Sequence, residues 1–308
     1  MLLDTAWRGD PRAVGKLIST VESGRPDDER AVAAAAFPRT GRAWVLGVTG
    51  PPGAGKSSLV DRLVTLLRHR DERVAVVAVD PSSPFSGGAI LGDRLRMQDH
   101  ATDPGVFVRS MATRGQAGGL ARATVGAVRV LDAAGWPWIV VETVGAGQVE
   151  IDVAQASDTT VVVVNPGWGD SVQAVKAGLL EIADVLVVNK ADRPGADQAV
   201  RDLQLTLDLA LEPPEWRPPV LCTTATTGEG IDGLWDAVER QRAFLHDGAR
   251  LTRRRTARLP GELRRLVEAA AAAHASRRVS GPGFDALVAD VAARHLDPLA
   301  AAERLLAE

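Results

Sequence analysis

Gly50-Pro51-Pro52-Gly53-Ala54-Gly55-Lys56-Ser57 is the stretch of sequence that decides the fold of this chain. It matches the pattern G-x-x-x-x-G-K-[ST], follows an apolar run at residues 44–48 and precedes a helical pattern at residues 57–68. A strand, a glycine-rich turn and a helix start in this order form a phosphate-binding loop, because backbone N–H groups and the positive helix end attract phosphate oxygens. The residues predicted to bind a nucleotide here are Gly50, Pro51, Pro52, Gly53, Ala54, Gly55, Lys56, Ser57 and Ser58.

Charged and hydroxyl side chains near this loop are predicted to act on the phosphates. Lys56 is expected to contact the β- and γ-phosphates, and the Ser57 hydroxyl is expected to ligate Mg²⁺. Asp80, Asp93 and Glu142 follow predicted strands, at the edge where open parallel sheets bind ligands. Each of these carboxylates is interpreted as a member of the magnesium shell or as a group that positions water, and the alternative for each is a helix cap.

The run Glu142-Thr143-Val144-Gly145 resembles a switch II segment. In such a segment the Gly145 N–H meets the γ-phosphate and releases it after hydrolysis, so nucleotide state controls the position of the loop. The predicted catalytic group is therefore Lys56, Asp80, Asp93, Glu142 and Gly145, and the predicted metal ligands are Ser57, Asp80, Asp93 and Glu142.

Short apolar runs separated by helical stretches predict the rest of the architecture. Parallel strands are covered by helices on both faces, so they appear as continuous apolar runs without alternation. The predicted fold class is α/β, a P-loop NTPase with a largely parallel central sheet, flanked by N-terminal and C-terminal helical extensions. The predicted strands are residues 44–48, 74–79, 106–108, 138–141, 160–164, 185–188 and 219–222.

Two further runs predict which base the site accepts. Asn189-Lys190-Ala191-Asp192 follows a predicted strand and matches the N-K-x-D element, in which the Asp192 carboxylate accepts hydrogen bonds from guanine N1–H and the exocyclic amine. Thr223-Thr224-Ala225-Thr226 also follows a strand and resembles the loop whose backbone N–H recognises guanine O6. GTP and GDP are therefore the predicted ligands. The predicted base-binding residues are Asn189, Lys190, Asp192, Thr224, Ala225 and Thr226.

Composition excludes several classes of protein. The formal charge of −3 argues against nucleic-acid binding, which needs a concentrated basic surface. Residues 1–10 lack signal-peptide features and no apolar run approaches the roughly 20 residues that span a bilayer, so a soluble, cytoplasmic protein without a membrane partner is predicted. Cys222 is the sole cysteine, at a predicted buried strand end, so no disulfide or structural zinc is expected. One cluster is interpreted as a solvated linker face: Arg253, Arg254, Arg255 and Arg258.

Helical patterns on either side of the strands complete the predicted organisation. Asp10 and Pro11 have the pattern of a helix start, and Asp297 with Pro298 opens a last short helix. The predicted domains are an N-terminal helical extension at 1–40, a GTPase domain at 41–248 and a C-terminal helical arm at 249–308.

Taken together, these motifs resemble the MeaB/ArgK/MMAA family of P-loop GTPases over nearly the whole chain. In that family a glutamate replaces the usual aspartate of switch II, as Glu142 does here, and Thr224 stands where serine is usual. The segments that carry the resemblance are Val79-Asp80-Pro81-Ser82-Ser83, Gly87-Gly88, Gly92-Asp93, Gly118-Gly119, residues 142–150, residues 166–170 with Gln173 and Lys176, and Asn189-Lys190-Ala191-Asp192.

The resemblance implies that the chain hydrolyses GTP slowly as a chaperone of an adenosylcobalamin-dependent acyl-CoA mutase, such as methylmalonyl-CoA mutase. It would gate cobalamin delivery or remove damaged cofactor. Residues 166–178 resemble the family's additional switch, with Asp170, Gln173 and Lys176 as polar members and Lys176 among the catalytic residues; the alternative is a loop with a solvated helical turn. The C-terminal helices resemble a dimerisation arm, which implies a homodimer.

Two other functions stay open at this point. A metallochaperone GTPase of the nickel-insertion type would share the fold but needs exposed Cys or His ligands. A P-loop kinase would need an acceptor pocket with a positioned base, and no sequence feature indicates one.

Overall fold

The computed structural model describes residues 1–23, 25–80, 100, 102–112, 119–143, 156–167, 180–209 and 214–307. The chain divides into two compact units, Met1–Arg255 and Thr256–Glu308. None of the helices in these described ranges combines the length and apolar character that crossing a bilayer requires.

The first unit begins with three helices, α1 (Leu2–Trp7), α2 (Pro11–Ser23) and α3 (Pro26–Ala36). The predicted helix start at Asp10 is confirmed, because the Asp10 carboxylate accepts the Ala13 N–H at 2.7 Å. Helices α1 and α3 were not predicted, since one is six residues long and the other is rich in alanine, so neither shows a clear apolar stripe.

A parallel seven-stranded sheet forms the centre of the first unit within the described residues, with strand order β3-β2-β4-β1-β5-β6-β7. Every predicted strand is present, and the predicted α/β fold class is confirmed. The strands are β1 (Trp44–Thr49), β2 (Val74–Asp80), β3 (Val106–Ala112), β4 (Trp138–Thr143), β5 (Thr159–Val164), β6 (Val185–Asn189) and β7 (Val220–Thr223).

Helices cover both faces of this sheet. After α3, the helices of the first unit in the described residues are α4 (Lys56–His69), α5 (Gly119–Ala133), α6 (Ala196–Asp208) and α7 (Ile231–His246). On one face α4 and α7 pack with alternate strand residues, and Trp138 meets Trp235 with ring centroids 4.7 Å apart. On the other face α2 and α5 cover β2 to β4, and α6 covers β5 and β6. This is a three-layer arrangement with its apolar cores on either side of the sheet.

Three buried aspartates lie at the amino ends of the strands, opposite the edge that carries the phosphate loop. Asp132, Asp158 and Asp184 each accept hydrogen bonds from backbone N–H groups that precede or begin strands. The donors are Gly41, Arg42 and Ala43 for Asp132, Val45 for Asp158 and Thr160 for Asp184. Their charges are therefore partly satisfied by the peptide chain itself.

Two arginines from the predicted linker pair with these aspartates. Arg254 donates to both carboxylate oxygens of Asp184 at 2.7 and 2.5 Å, and Arg255 donates to both oxygens of Asp158 at 2.9 and 2.6 Å. Arg255 also donates to the Ala43 carbonyl at 2.8 Å. The interpretation of the arginine cluster as a solvated linker face is therefore wrong for Arg254 and Arg255, because buried carboxylates need charged partners.

Cys222 corrects a second expectation. The residue is exposed rather than buried, because β7 is an edge strand of the sheet within the described residues. Desolvation by the surrounding protein atoms, with the charge of Asp197 adding to it, raises the pKa of the Cys222 thiol.

The helices at the end of the chain are α8 (Arg250–Arg278), α9 (Pro282–Ala292) and α10 (Pro298–Ala307). The Asp297 carboxylate accepts the N–H groups of Leu299 and Ala300 at 2.9 and 3.0 Å, which confirms the predicted start of the last helix. Helix α8 carries exposed apolar side chains at helical spacing, among them Leu263 at 64% and Val267 at 60% exposure.

Candidate nucleotide site

The phosphate loop lies between the end of β1 and the start of α4, as predicted. Two of its glycines are required by close contacts. A Cβ atom on Gly50, whose φ is +138°, would lie 2.0 Å from the Val163 carbonyl oxygen. A Cβ atom on Gly55, whose φ is +92°, would lie 2.3 Å from Asn189 Nδ2. The loop therefore keeps its shape only with glycine at both positions.

Lys56 points its amine back into this loop. Its Nζ donates to the Gly50 carbonyl at 2.7 Å and to the Pro51 carbonyl at 3.0 Å, and the residue is 6% exposed. The positive charge is therefore concentrated inside the loop whose shape predicts a bound phosphate.

Ser57 and Glu142 are brought together by the pairing of two strands. Strand β4 lies beside β1 with Glu142 aligned to Val48, so its carboxylate meets the first turn of α4. The Ser57 hydroxyl donates to Glu142 Oε1 at 2.5 Å, and the two residues are 8% and 2% exposed. A hydroxyl and a carboxylate side by side at this edge are hard oxygen donors of the kind that Mg²⁺ prefers.

Asn189 joins the phosphate loop to the two base-recognition runs. Its Nδ2 donates to the Ala54 carbonyl at 2.8 Å. Its Oδ1 accepts from the Thr223 hydroxyl and the Ala225 N–H, both at 3.1 Å. The residue is 2% exposed. This one amide therefore fixes the separation between the phosphate site and the base site.

The residues that follow Asn189 in this run are less buried than Asn189 itself. Lys190 has a φ of +58° and donates its Nζ to the Gly53 carbonyl at 2.7 Å. Asp192 is exposed, so its carboxylate is accessible to a base. In the second run Thr224 and Ala225 are buried and Thr226 is exposed, and the Thr224 N–H donates to the Glu229 carbonyl at 3.0 Å.

Several predicted site residues have no described placement. Asp80 ends β2, aligned with Ala112 of β3, but its side chain lies outside the described part. The role of Asp80 at the metal therefore stays a prediction. The other predicted site residues outside the described part are Asp93, Gly145, Asp170, Gln173 and Lys176, and their roles stay predictions as well.

One contact to this site has no signal in the sequence. Arg62, on α4, donates to the carbonyl oxygens of Ala225 and Thr226 at 2.9 and 2.7 Å. No motif singles out Arg62, because its partners are 163 and 164 residues away in the chain. Only the packing of α4 beside the loop after β7 reveals it.

The described residues give the metallochaperone alternative no support, because they hold no cluster of metal-ligating side chains. Across the described ranges no group of three or more His, Cys, Asp or Glu side chains is placed to hold a metal ion. Cys222 is exposed, but one thiol is not a transition-metal site.

The fold and the site define the class of protein as a P-loop GTPase. Residues 14–280 match the family described as "Methylmalonyl Co-A mutase-associated GTPase MeaB". The chain belongs to this MeaB family, which confirms the resemblance drawn from its motifs, and it hydrolyses GTP.

Two relatives with GTPase names and one solved structure are similar to this chain over most of its length. A Pyrococcus abyssi protein named as a GTPase is 47% identical over 100% of this chain and 95% of its own length. The GTPase ArgK of Escherichia coli is 35% identical, covering 85% of this chain and 81% of that protein. A crystal structure described as LAO/AO transport system kinase superposes with a TM-score of 0.73 at 26% identity, covering 99% of this chain and 95% of that one.

Proposed function

We propose that this GTPase binds GTP and GDP with Mg²⁺ and serves as a nucleotide-dependent chaperone of an adenosylcobalamin-dependent acyl-CoA mutase. The observation that carries the nucleotide part is the Asn189 junction, in which one side chain bonds to the phosphate loop and to the base loop. The mutase part is supported by the family description, which names methylmalonyl-CoA mutase.

In the proposed site each described side chain has one task. The backbone N–H groups of the phosphate loop and the Lys56 amine hold the β- and γ-phosphates. Ser57, with Glu142 beside it at 2.5 Å, would hold Mg²⁺, which supplies charge neutralisation on the phosphates when bound. Because Mg²⁺ usually keeps water and phosphate ligands, a pair of protein oxygens is a fitting site for it. Asp192 accepts from the guanine edge.

The remaining predictions complete the proposal. Asp80 and Asp93 are proposed to support the metal or position water, Gly145 to meet the γ-phosphate, and Lys176 to act in the additional switch. The proposed domains are residues 1–40, 41–248 and 249–308. Exposed Leu263 and Val267 on α8 support a homodimer formed through the C-terminal helices.

The mutase partnership predicts a thermodynamic coupling. Adding a cobalamin-dependent mutase holoenzyme should change the affinity of this chain for a non-hydrolysable GTP analogue by about 5- to 150-fold, the usual range for coupled sites. By reciprocity, the analogue must change the affinity of the chain for the mutase by the same factor. Calorimetric titrations in both directions measure the two factors.

The control for this experiment is Lys56→Ala, in which the mutase affinity should no longer depend on the nucleotide. Absence of mutase binding, or binding that ignores the nucleotide, would remove the chaperone proposal and leave the GTPase activity in place. Separate incubations of the chain with γ-labelled GTP, with and without the mutase, test the kinase alternative, which the description of the solved neighbour as a kinase keeps open. Label transferred to anything other than water would favour a kinase.

A further inference from the structure

Arg62 holds two successive carbonyl groups of the loop after β7. It is half-buried on α4, whose first residue is Lys56 of the phosphate loop. Its Nε donates to the Ala225 oxygen at 2.9 Å and its Nη2 donates to the Thr226 oxygen at 2.7 Å. The planar guanidinium presents these donors in a rigid fork, so it fixes the orientation of both peptide groups.

The orientation of one peptide determines where one N–H points. The described chain contains no cis peptide bond, and in a trans peptide the carbonyl and the following N–H point in opposite directions. Because the Ala225 carbonyl is directed to Arg62, the Thr226 N–H is directed away from Arg62.

Two other amides of this loop already have hydrogen-bond acceptors within the protein. The Thr224 N–H donates to the Glu229 carbonyl, and the Ala225 N–H donates to Asn189 Oδ1. The Thr226 N–H makes no hydrogen bond to another described residue. It is therefore the amide in the predicted base-recognition run that is available to a ligand acceptor.

We infer that Arg62 is a positioning residue for base recognition, which aligns the Ala225–Thr226 peptide so that the Thr226 N–H donates to guanine O6. The inference rests on the proposed placement of the base beside Asp192 and this loop. The two contacts recognise different atoms: Asp192 accepts from N1–H and the 2-amine, whereas the Thr226 N–H donates to O6. Adenine carries an amine donor in place of guanine O6, so an N–H directed at this position disfavours adenine.

Two GTP analogues separate these contacts. In 6-thio-GTP sulfur replaces O6 and accepts hydrogen bonds weakly, and ITP lacks the 2-amine. The wild-type chain should bind each analogue about fivefold or more weakly than GTP, the effect of about one hydrogen bond. In Arg62→Gln the preference for GTP over 6-thio-GTP should fall to about twofold or less, while the preference for GTP over ITP stays at its wild-type value.

Two more variants sharpen the test. Arg62→Lys should recover part of the preference against 6-thio-GTP, because an ammonium group still donates to one carbonyl. The matched control is Arg8→Gln, which removes an exposed arginine that donates to the Asp4 carbonyl on α1. It should leave both preferences unchanged.

Each other outcome overturns the inference. Unchanged preferences in Arg62→Gln would show that the peptide needs no positioning by this side chain. An equal fall in both preferences would make Arg62 a general support of the base site. If the wild-type chain itself does not prefer GTP to ATP, the proposed base site is wrong and the role of Arg62 falls with it, a result that the wild-type titration alone identifies.

Discussion

Replacing Lys56 with alanine is expected to abolish tight binding of GTP and GDP while the fold stays intact. The amine is directed at the carbonyls of Gly50 and Pro51 in the phosphate loop, and the residue is 6% exposed. Truncating one partner of a buried charge pair costs about 2–5 kcal/mol, which corresponds to roughly 30-fold to several thousand-fold in Kd. Calorimetric titration with GTP and with GDP measures this loss.

A surface lysine provides the control for Lys56. Lys16 is exposed on α2, and Lys16→Ala removes the same charge away from the loop. It should bind GTP as the wild-type chain does. Thermal unfolding followed by circular dichroism should give Lys56→Ala a midpoint close to that of the wild type. Unchanged GTP affinity in Lys56→Ala would contradict the assignment of the phosphate site.

The second large effect concerns stability. Arg255→Met should lower the free energy of unfolding by about 3–5 kcal/mol, because it removes the guanidinium that pairs with the carboxylate of Asp158, which is 2% exposed. The variant also loses the hydrogen bond to the Ala43 carbonyl. The side-chain hydrogen bonds to Asp158 raise the pKa of Arg255 above its usual value. Urea unfolding measures the change.

Arg253→Met is the matched control for the stability prediction. Arg253 is exposed two positions before Arg255 on the same helix, so its replacement should change the free energy of unfolding by less than about 0.5 kcal/mol. Replacing Asp158 as well should recover part of the loss in Arg255→Met, because the buried carboxylate is then removed together with the guanidinium. Equal stability of Arg255→Met and the wild type would show that the pair contributes nothing.

Much of the fold could be predicted because its signals are local. The phosphate loop, the strands and the helix starts at Asp10 and Asp297 depend on residues within a few positions of each other. The closeness of Ser57 and Glu142 was also accessible, since parallel strands end at the same sheet edge.

The contacts that sequence analysis missed join distant parts of the chain. Arg254 and Arg255 pair with aspartates that are 70 and 97 residues away in the sequence. Without those partners the arginine cluster has the sequence pattern of a solvated surface. Arg62 bonds to a loop 163 residues away. The exposure of Cys222 depends on the position of β7 at the sheet edge, which strand order alone determines. Composition and periodicity do not indicate which helices and strands become neighbours in the folded chain.

The base site is tested most directly by exchanging the predicted guanine acceptor. Asp192 is exposed beside the Asn189 junction, and its carboxylate is predicted to accept from N1–H and the 2-amine of guanine. Xanthine carries an oxygen where guanine has the 2-amine, so an asparagine amide can donate to it. The control is Asp197→Asn, an exposed carboxylate in the first turn of α6.

Competition titrations of GTP against xanthosine triphosphate should show a preference for GTP in the wild-type chain and in Asp197→Asn. In Asp192→Asn the preference should reverse in favour of xanthosine triphosphate. If Asp192→Asn keeps the wild-type affinity for GTP and gains none for xanthosine triphosphate, Asp192 does not contact the base.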